Sequence, residues 1–487
     1  MKTKLLRALS LLLVLSMFLF ACACGKKETS SDPEYDDDYE TLEDLDAEGE
    51  EGEEGEEGEK GGGTSKGGGT STATSGSKAT GNKLLDSIPA KLKGTVVTVA
   101  AWGDENAVQY KKVADYFAKK SKIQIKWVTY EETQYVQKIV EQNAAGSGPD
   151  VVICNLTFPS VLEAVQELPA IFDINDGFWD PRVTESLSAK GKNFFVNGCN
   201  SPFIQGGSFL FYNKDIFANN NIKSPQDYVD EGTWTWENVE KALRDAKQAK
   251  YDGGNIVAHF MWATTGAQIV PYDPKTSTYS NGLNNASYKS DILYALKFVA
   301  KLRTENIIAN ESLTRFASGN MAMALTTNFG MKYNGWFKGM NPSQLGVVNV
   351  PKTMNGKASN YMNGNQRGYG IGKKAKNIEG AYYFLRFFLD YDNFAEAGAS
   401  IFLNKNVEKF FMNDFIKNYK SRPMCCEYMT KPLDLAGYPW TAASTGTWTD
   451  VTGQKTPEEV ESTLMSRSNI IDLAAQKANE KLNAVLK

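Results

Sequence analysis

The chain has 487 residues, with 53 Lys and Arg against 58 Asp and Glu and a single histidine. One imidazole excludes a histidine-rich zinc centre, and any Ser-His-Asp triad would rest on His259 alone. Residues 1–60 hold 6 of the basic and 18 of the acidic side chains, so the rest of the chain carries a net charge of +7, too dilute for a nucleic-acid face.

Lys2, Lys4 and Arg7 precede an apolar run from Leu9 to Phe20, which has signal-peptide length and falls short of the ~20 residues of a spanning helix. The run ends in Ala21-Cys22-Ala23-Cys24-Gly25. A small residue directly before a cysteine resembles the bacterial lipobox, whose thiol is acylated with a diacylglyceryl group before cleavage. Leu19 stands three residues before Cys22, which favours that cysteine; Cys24, followed by Gly25, is the other candidate. Residues 1–24 are therefore expected to be a lipoprotein signal peptide. Two acyl chains at about 0.8 kcal/mol per buried CH2 would hold the protein at the outer face of the cell membrane with no spanning helix.

Residues 32–60 carry 17 carboxylates, and the unit Gly61-Gly62-Gly63-Thr64-Ser65-Lys66 begins again at Gly67. High charge with almost no apolar content predicts a disordered tether over residues 25–82, reaching ~40–45 Å as a flexible coil. The G-x-x-x-x-G-K-[ST] spacing of a phosphate loop is absent, as is a calcium-loop pattern.

The remaining 83–487 exceed what one hydrophobic core usually organises, so two lobes are expected. Thr95–Ala100, Ile123–Val128 and Val151–Cys154 read as strands, with Asn106–Ser121 and Tyr135–Ala145 as helices between them. This alternation predicts a mostly parallel sheet, with ligand-gathering loops at the strand carboxyl ends. Trp102, Asp104 and Asn155 fall at those ends. A second set runs through Phe209–Tyr212, a helix from Trp236 to Lys250 capped by Thr235, a helix over 291–302, strands at Met321–Thr326 and Leu345–Val350, a helix over 378–391, and one or two helices over 457–486.

In order along the chain stand Gly148-Pro149-Asp150-Val151-Val152, Phe211-Tyr212-Asn213-Lys214-Asp215-Ile216-Phe217, Thr233-Trp234-Thr235-Trp236-Glu237, Phe316-Ala317-Ser318-Gly319-Asn320-Met321-Ala322-Met323 and Gly368-Tyr369-Gly370-Ile371. Together they resemble the extracellular solute-binding proteins of bacterial ABC importers, in the group related to maltodextrin- and oligosaccharide-binding proteins. Asn320 departs from the lysine or glutamate common in that group. The resemblance implies a two-lobed, type II periplasmic-binding-protein-like α/β fold with a hinge, lobe one over about 93–207 and 352–400 and lobe two over about 208–351 and 401–487. It also implies a monomeric binding protein that delivers a small solute, a sugar or oligosaccharide, to importer permease subunits, with no nucleic acid, metal or cofactor and no catalysis.

The alternative is a surface glycoside hydrolase, for which Asp104, Glu131 and Asp150 supply carboxylates. Asp150 fits a structural turn better, and no G-x-S-x-G elbow is present. Flat indoles with polar rims suit sugar rings. Trp127, Trp234 and Trp236 lie within elements and are expected to pack. Trp102, Trp262, Trp336 and Trp440 fall in loops and are ligand candidates, with Asp104, Asn155, Asn328 and Asn363 as polar partners. Trp336 and Trp440 are expected to form one stacking platform in the second lobe. Cys154 and Cys199 are expected as buried free thiols, and a bridge between them would need their Cα atoms within ~7 Å.

Overall fold

The computed structural model describes residues 83–102, 108–154, 157–204, 208–256, 261, 265–308, 313–332, 335–352, 367–416, 426–427 and 456–487. Cys22, Cys24 and the acidic tether lie outside these, as do Asp104, Asn155, His259, Trp262, Asn363 and Trp440.

β1 (Val96–Trp102), rich in β-branched residues, pairs in parallel with β2 (Gln124–Tyr130) from Val96 opposite Gln124 to Trp102 opposite Tyr130. Helix α1 (Val108–Ser121) joins them and buries Tyr110, Val113, Ala114 and Phe117, whose spacing of three and four forms one apolar stripe. Helix α2 (Tyr135–Ala144) leads to β3 (Val151–Cys154), all four residues of which are buried, as in a strand covered on both faces. The Tyr135 hydroxyl donates to Ala100 O at 3.1 Å and accepts from Ile153 N–H at 2.9 Å, stitching β1 to β3.

The chain then builds a second sheet. β4 (Phe209–Asn213) is buried throughout. In α3 (Trp236–Gln248) the Thr235 hydroxyl accepts from Asn238 N–H, and Trp236, Val239, Ala242, Leu243 and Ala246 face inward. Each such side chain, fully buried, contributes on the order of 1.5–3 kcal/mol. After β5 (Asp252–Ile256) come the short β6 (Pro271–Asp273) and β7 (Thr278–Tyr279), then α4 (Ala286–Thr304), β8 (Met321–Thr326) and β9 (Leu345–Asn349). β5 and β8 are parallel, while β4 runs antiparallel to both β8 and β9, giving the order β5-β8-β4-β9.

β10 (Gly368–Ile371) returns to the first sheet, antiparallel to β3, for the order β10-β3-β1-β2. α5 (Ile378–Phe388) follows and packs on α1 and β1. The expected helix over 378–391 stops early. Asn200 holds the turn after it, its amide donating to Asp390 at 2.9 Å and its carbonyl accepting from Tyr391 N–H at 3.0 Å. β11 (Cys426–Glu427) pairs with β6, completing a three-stranded sheet the sequence did not announce. At the carboxyl end, α6 (Pro457–Met465) packs on α4, and α7 (Ser468–Val485) packs on both β7 and the segment Ser160–Glu163. Among the described residues no helix is long and apolar enough to cross a membrane.

Candidate functional site

β1, β2 and β3 all run in one direction, so their carboxyl ends, Trp102, Tyr130 and Cys154, lie along one edge, where Gly368 of β10 stands opposite Cys154. In the second sheet β5, β8 and β9 likewise end on one edge, beside Phe209, which pairs with both Thr326 and Asn349. The chain passes from the first edge to the second between Ile204 and Phe209, and back between Asn349 and Gly368. Five residue steps span at most ~18 Å, so the two carboxyl edges lie close to each other at this crossing. Open α/β sheets bind ligands outside strand carboxyl ends. A third passage lies between Glu396 and Lys405.

Two junctions tie the halves together. At the first, Phe203 is fully buried, stacked on Phe388 with ring centroids 4.9 Å apart and edge-on to Tyr110 and Phe394. The Arg367 guanidinium lies 4.8 Å and the Lys332 ammonium 5.7 Å from the Phe203 centroid, both side chains buried. Cation–π contact strengthens as the cation loses water, reaching ~2 kcal/mol. Burial pushes the Tyr369 hydroxyl beside Arg367 up to about 12. Asn328, buried, donates its amide to Ile204 O at 2.8 Å, and Leu403 N–H donates to Met331 O at 3.0 Å.

The second junction is polar. The Tyr272 hydroxyl of β6 donates to Ser188 O at 2.7 Å, and its ring lies 5.2 Å from Phe158. Lys190 N–H donates to Ser277 Oγ at 2.6 Å, and Lys481 of α7 pairs with Glu163 at 2.6 Å.

Of the residues singled out from sequence, Trp336 is 39% exposed, in the loop that follows β8, with its ring edge-on to Phe329 at 5.4 Å. Trp102 is the last residue of β1. Asn328 comes to the first junction, with its amide committed to Ile204. Trp127 packs against Phe384 and Phe388, Trp236 is buried, and the Trp234 indole donates to Asn349 O at 2.8 Å. Sequence reasoning missed the hydroxyls of Ser208 and Thr326, which flank the start of β4 and the end of β8. Both are buried without a hydrogen-bond partner among the described residues. Their only signal was a polar residue ending an apolar run. A groove of about 910 Å³ also opens at the carboxyl edge of β9, lined by Trp234, Glu237, Asn349, Lys352, Phe410 and Asp414 among others. Its walls come from the second half of the body alone.

Of the carboxylates of the hydrolase alternative, Asp104 lies outside the described residues, and Asp150 and Glu131 lie at opposite edges of the first sheet. Asp150 sits at the amino end of β3, buried, and accepts from the backbone N–H groups of Thr98, Lys376 and Asn377 at 2.8, 2.6 and 2.8 Å. It is a structural brace at the edge opposite the gap between the carboxyl edges, whereas exposed Glu131 follows the carboxyl end of β2. Among the described residues no group of His, Cys, Asp and Glu could hold a metal ion. Cys154 is buried, which pushes its thiol up to about 12, whereas Cys199, expected to be buried as well, is only half-buried and its thiol donates to Trp179 O.

The fold recurs in solved structures. The sugar-binding protein MalE from the phytopathogen Xanthomonas citri superposes with a TM-score of 0.54 at 14% identity, covering 80% of this chain and 98% of that one. A cyclo/maltodextrin-binding protein complexed with maltotetraose gives 0.53 at 17% identity, over 76% and 96%. A solute-binding protein of an ABC transporter from Thermotoga lettingae TMO, bound with α-D-tagatose, gives 0.51 at 15%, over 80% and 100%. A sequence comparison with curated proteins finds no match. The family model for bacterial extracellular solute-binding proteins matches residues 101–393, from the end of β1 to beyond α5. With more than half the chain matched, the protein belongs to the bacterial extracellular solute-binding protein family.

Proposed function

We propose that the protein captures a sugar or oligosaccharide between its two lobes and passes it to an ABC importer. The observation that carries this reading is the pair of adjacent carboxyl edges in a member of a solute-binding family whose structural neighbours hold maltotetraose and tagatose. The first lobe takes the sheet β10-β3-β1-β2, and the second takes β5-β8-β4-β9, with the passages at 204–209, 349–368 and 396–405 as the hinge. Ligand contacts come from Trp336 and from Trp102, Asp104, Asn155, Trp262, Asn363 and Trp440, with Asn328 setting the hinge beside them. The hydroxyls of Ser208 and Thr326 add two groups suited to a sugar hydroxyl. A solute touching both edges stabilises the closed form by its differential affinity for that form, and closure is the signal an importer can sense. The protein acts as a monomer, held outside the cell membrane through a diacylated Cys22 or Cys24.

A thermal-shift screen against mono- and oligosaccharides tests the ligand class. A sugar present at 100 times its Kd adds about 2.7 kcal/mol of stability. No shift with any sugar, alongside a clear shift with peptides or amino acids, would reassign the ligand. For the anchor, replacing both Cys22 and Cys24 by Ala should move the protein from the membrane fraction to the medium; unchanged fractionation would remove the lipid from the picture.

A further inference from the structure

The amino ends of the first sheet's parallel strands, opposite the carboxyl edges, gather lysines that solute capture does not use. After β10 the segment 372–377 runs along this edge. Gly372 N–H donates to Asp150 O at 3.0 Å, Lys376 N–H to Asp150 Oδ1 at 2.6 Å, and the Asn377 side chain to Thr95 Oγ1 at 2.9 Å and Val96 O at 3.0 Å. The segment thus carries Lys374 and Lys376 from the start of β3 to the start of β1. There Gly94 N–H donates to Lys122 O at 2.7 Å, which sets Lys93 beside Lys122, and Lys119 and Lys120 occupy the last turn of α1. Adjacent strands lie about 4.8 Å apart, so the distance from β3 across β1 to β2 is about 10 Å, one Debye length at 0.1 M salt.

All six lysines are exposed, and among the described residues none of them stands in an ion pair. Neighbouring carboxylates are engaged: Asp150 with the backbone amides of Thr98, Lys376 and Asn377, Glu379 with Lys91 at 2.6 Å, and Glu141 with Lys138 at 2.9 Å. The helical turn Lys83–Asp86 carries one charge of each sign. The basic surplus that is dilute over the body is therefore concentrated at this edge, where closely spaced like charges raise the local potential. The row is built of lysine without arginine. Lysine ammonium groups are compact point charges on flexible stems, suited to phosphates presented in no fixed geometry, whereas an anion held in one orientation is better met by the planar fork of arginine. A member of an extracellular solute-binding family works outside the cytoplasmic membrane, and the bilayer is the extended phosphate surface there.

We propose that the lysine-bearing amino edge of the first lobe docks on anionic phospholipid headgroups at the membrane surface, as a weak, salt-sensitive contact independent of the solute. Each lysine brought to an anionic surface strengthens the contact by about fivefold. Screening sets its range, with a Debye length falling from ~10 Å at 0.1 M salt to ~3 Å at 1 M. Docking at the amino ends turns the carboxyl edges away from the lipid. The contact needs no acyl chain, and so it is separable from an anchor at Cys22 or Cys24.

Sedimentation with sucrose-loaded vesicles tests the contact in the full chain carrying Cys22→Ala and Cys24→Ala, in which no acyl chain can insert. The protein should bind vesicles of mixed phosphatidylglycerol and phosphatidylcholine and leave pure phosphatidylcholine vesicles in suspension alone. Binding should fall at least about tenfold when salt rises from about 20 mM to about 500 mM. Replacing Lys93, Lys119, Lys120, Lys122, Lys374 and Lys376 by glutamine should lower it at least about tenfold at low salt. A matched variant that loses the same charge from the second half of the body, with the exposed Lys247, Lys250, Lys275, Lys338, Lys405 and Lys409 replaced by glutamine, should bind nearly as the parent does. Unchanged melting temperatures confirm that both variants fold. No binding to the mixed vesicles, binding that persists at high salt, or equal losses in the two variants would overturn the proposal. Tight binding to soluble polyphosphate with none to vesicles would overturn it as well and give the edge to an anionic polymer.

Discussion

The two junctions between the halves are built from opposite materials. Around Phe203 the contact is a buried cluster of rings capped by two buried cations, with Asn328 and Leu403 hydrogen-bonded across it. Around Tyr272 it is one ring contact, a part-buried hydrogen bond to Ser188 O, an exposed one from Lys190 N–H to Ser277 Oγ and a surface ion pair. The first would lose its packing if pulled apart, whereas the second can exchange its partners for water at little cost. The first is therefore suited to be the pivot, and the second to form and break as the gap closes and opens.

The most severe way to break this contrast is Phe203→Ala. It should lower stability by about 3–5 kcal/mol in chemical denaturation, because six aromatic and cationic neighbours lose their common partner. A loss below about 1 kcal/mol would mean that the ring cluster is not the structural pivot. Trp336→Ala comes next and bears on the gap itself. Sugar affinity should drop by about 1–3 kcal/mol with the melting temperature nearly unchanged, since the ring is partly exposed. Stability lost with affinity intact would make Trp336 a packing residue.

Tyr272→Phe removes a single hydrogen bond and should cost about 1 kcal/mol of stability. Its more telling effect is a larger radius of gyration for the sugar-free protein in small-angle scattering; an unchanged radius would deny the second junction any part in closure. Lys481→Ala should change stability by less than about 1 kcal/mol, being a pair exposed on both sides. The smallest effect is chemical: at pH 8 iodoacetamide should modify Cys199 well before Cys154, whose thiol burial pushes up to about 12 and closes off from solvent. Equal rates by peptide mapping would show that β3 opens readily.

What the sequence announced follows the range of the interactions involved. β3, β4 and β8 were legible because a strand buried on both faces must be a run of apolar residues. α3 was legible from its Thr235 cap and the spacing of its buried face. Asp150 was legible as a structural residue, since a Pro-Asp turn entering a strand leaves backbone amides nearby to satisfy. The end of α5 was not, because the residue that holds the turn, Asn200, is distant in the chain. Nor was the sheet of β6, β7 and β11, whose strands of two and three residues carry no periodicity. At the candidate site, the Gly and Asn around Trp336 marked an exposed ring. The same loop chemistry suggested an open Asn328, whose burial depends on the carbonyl of Ile204. The burial of Lys332 and Arg367 had no local signal, since charged side chains are expected outside.

The direction in which the chain runs through the first lobe bears on how the protein can be handled. It joins β1 at the edge opposite the gap, so a surface that grips the molecule directly before β1 holds it from behind and leaves the carboxyl edges facing the bulk liquid. The other end of the chain offers no such freedom, because α7 lies against Ser160–Glu163, just past the carboxyl end of β3. A sensor chip coupled through the carboxyl terminus would crowd that rim and slow the arrival of solute, while one coupled directly before β1 would register binding at its unhindered rate.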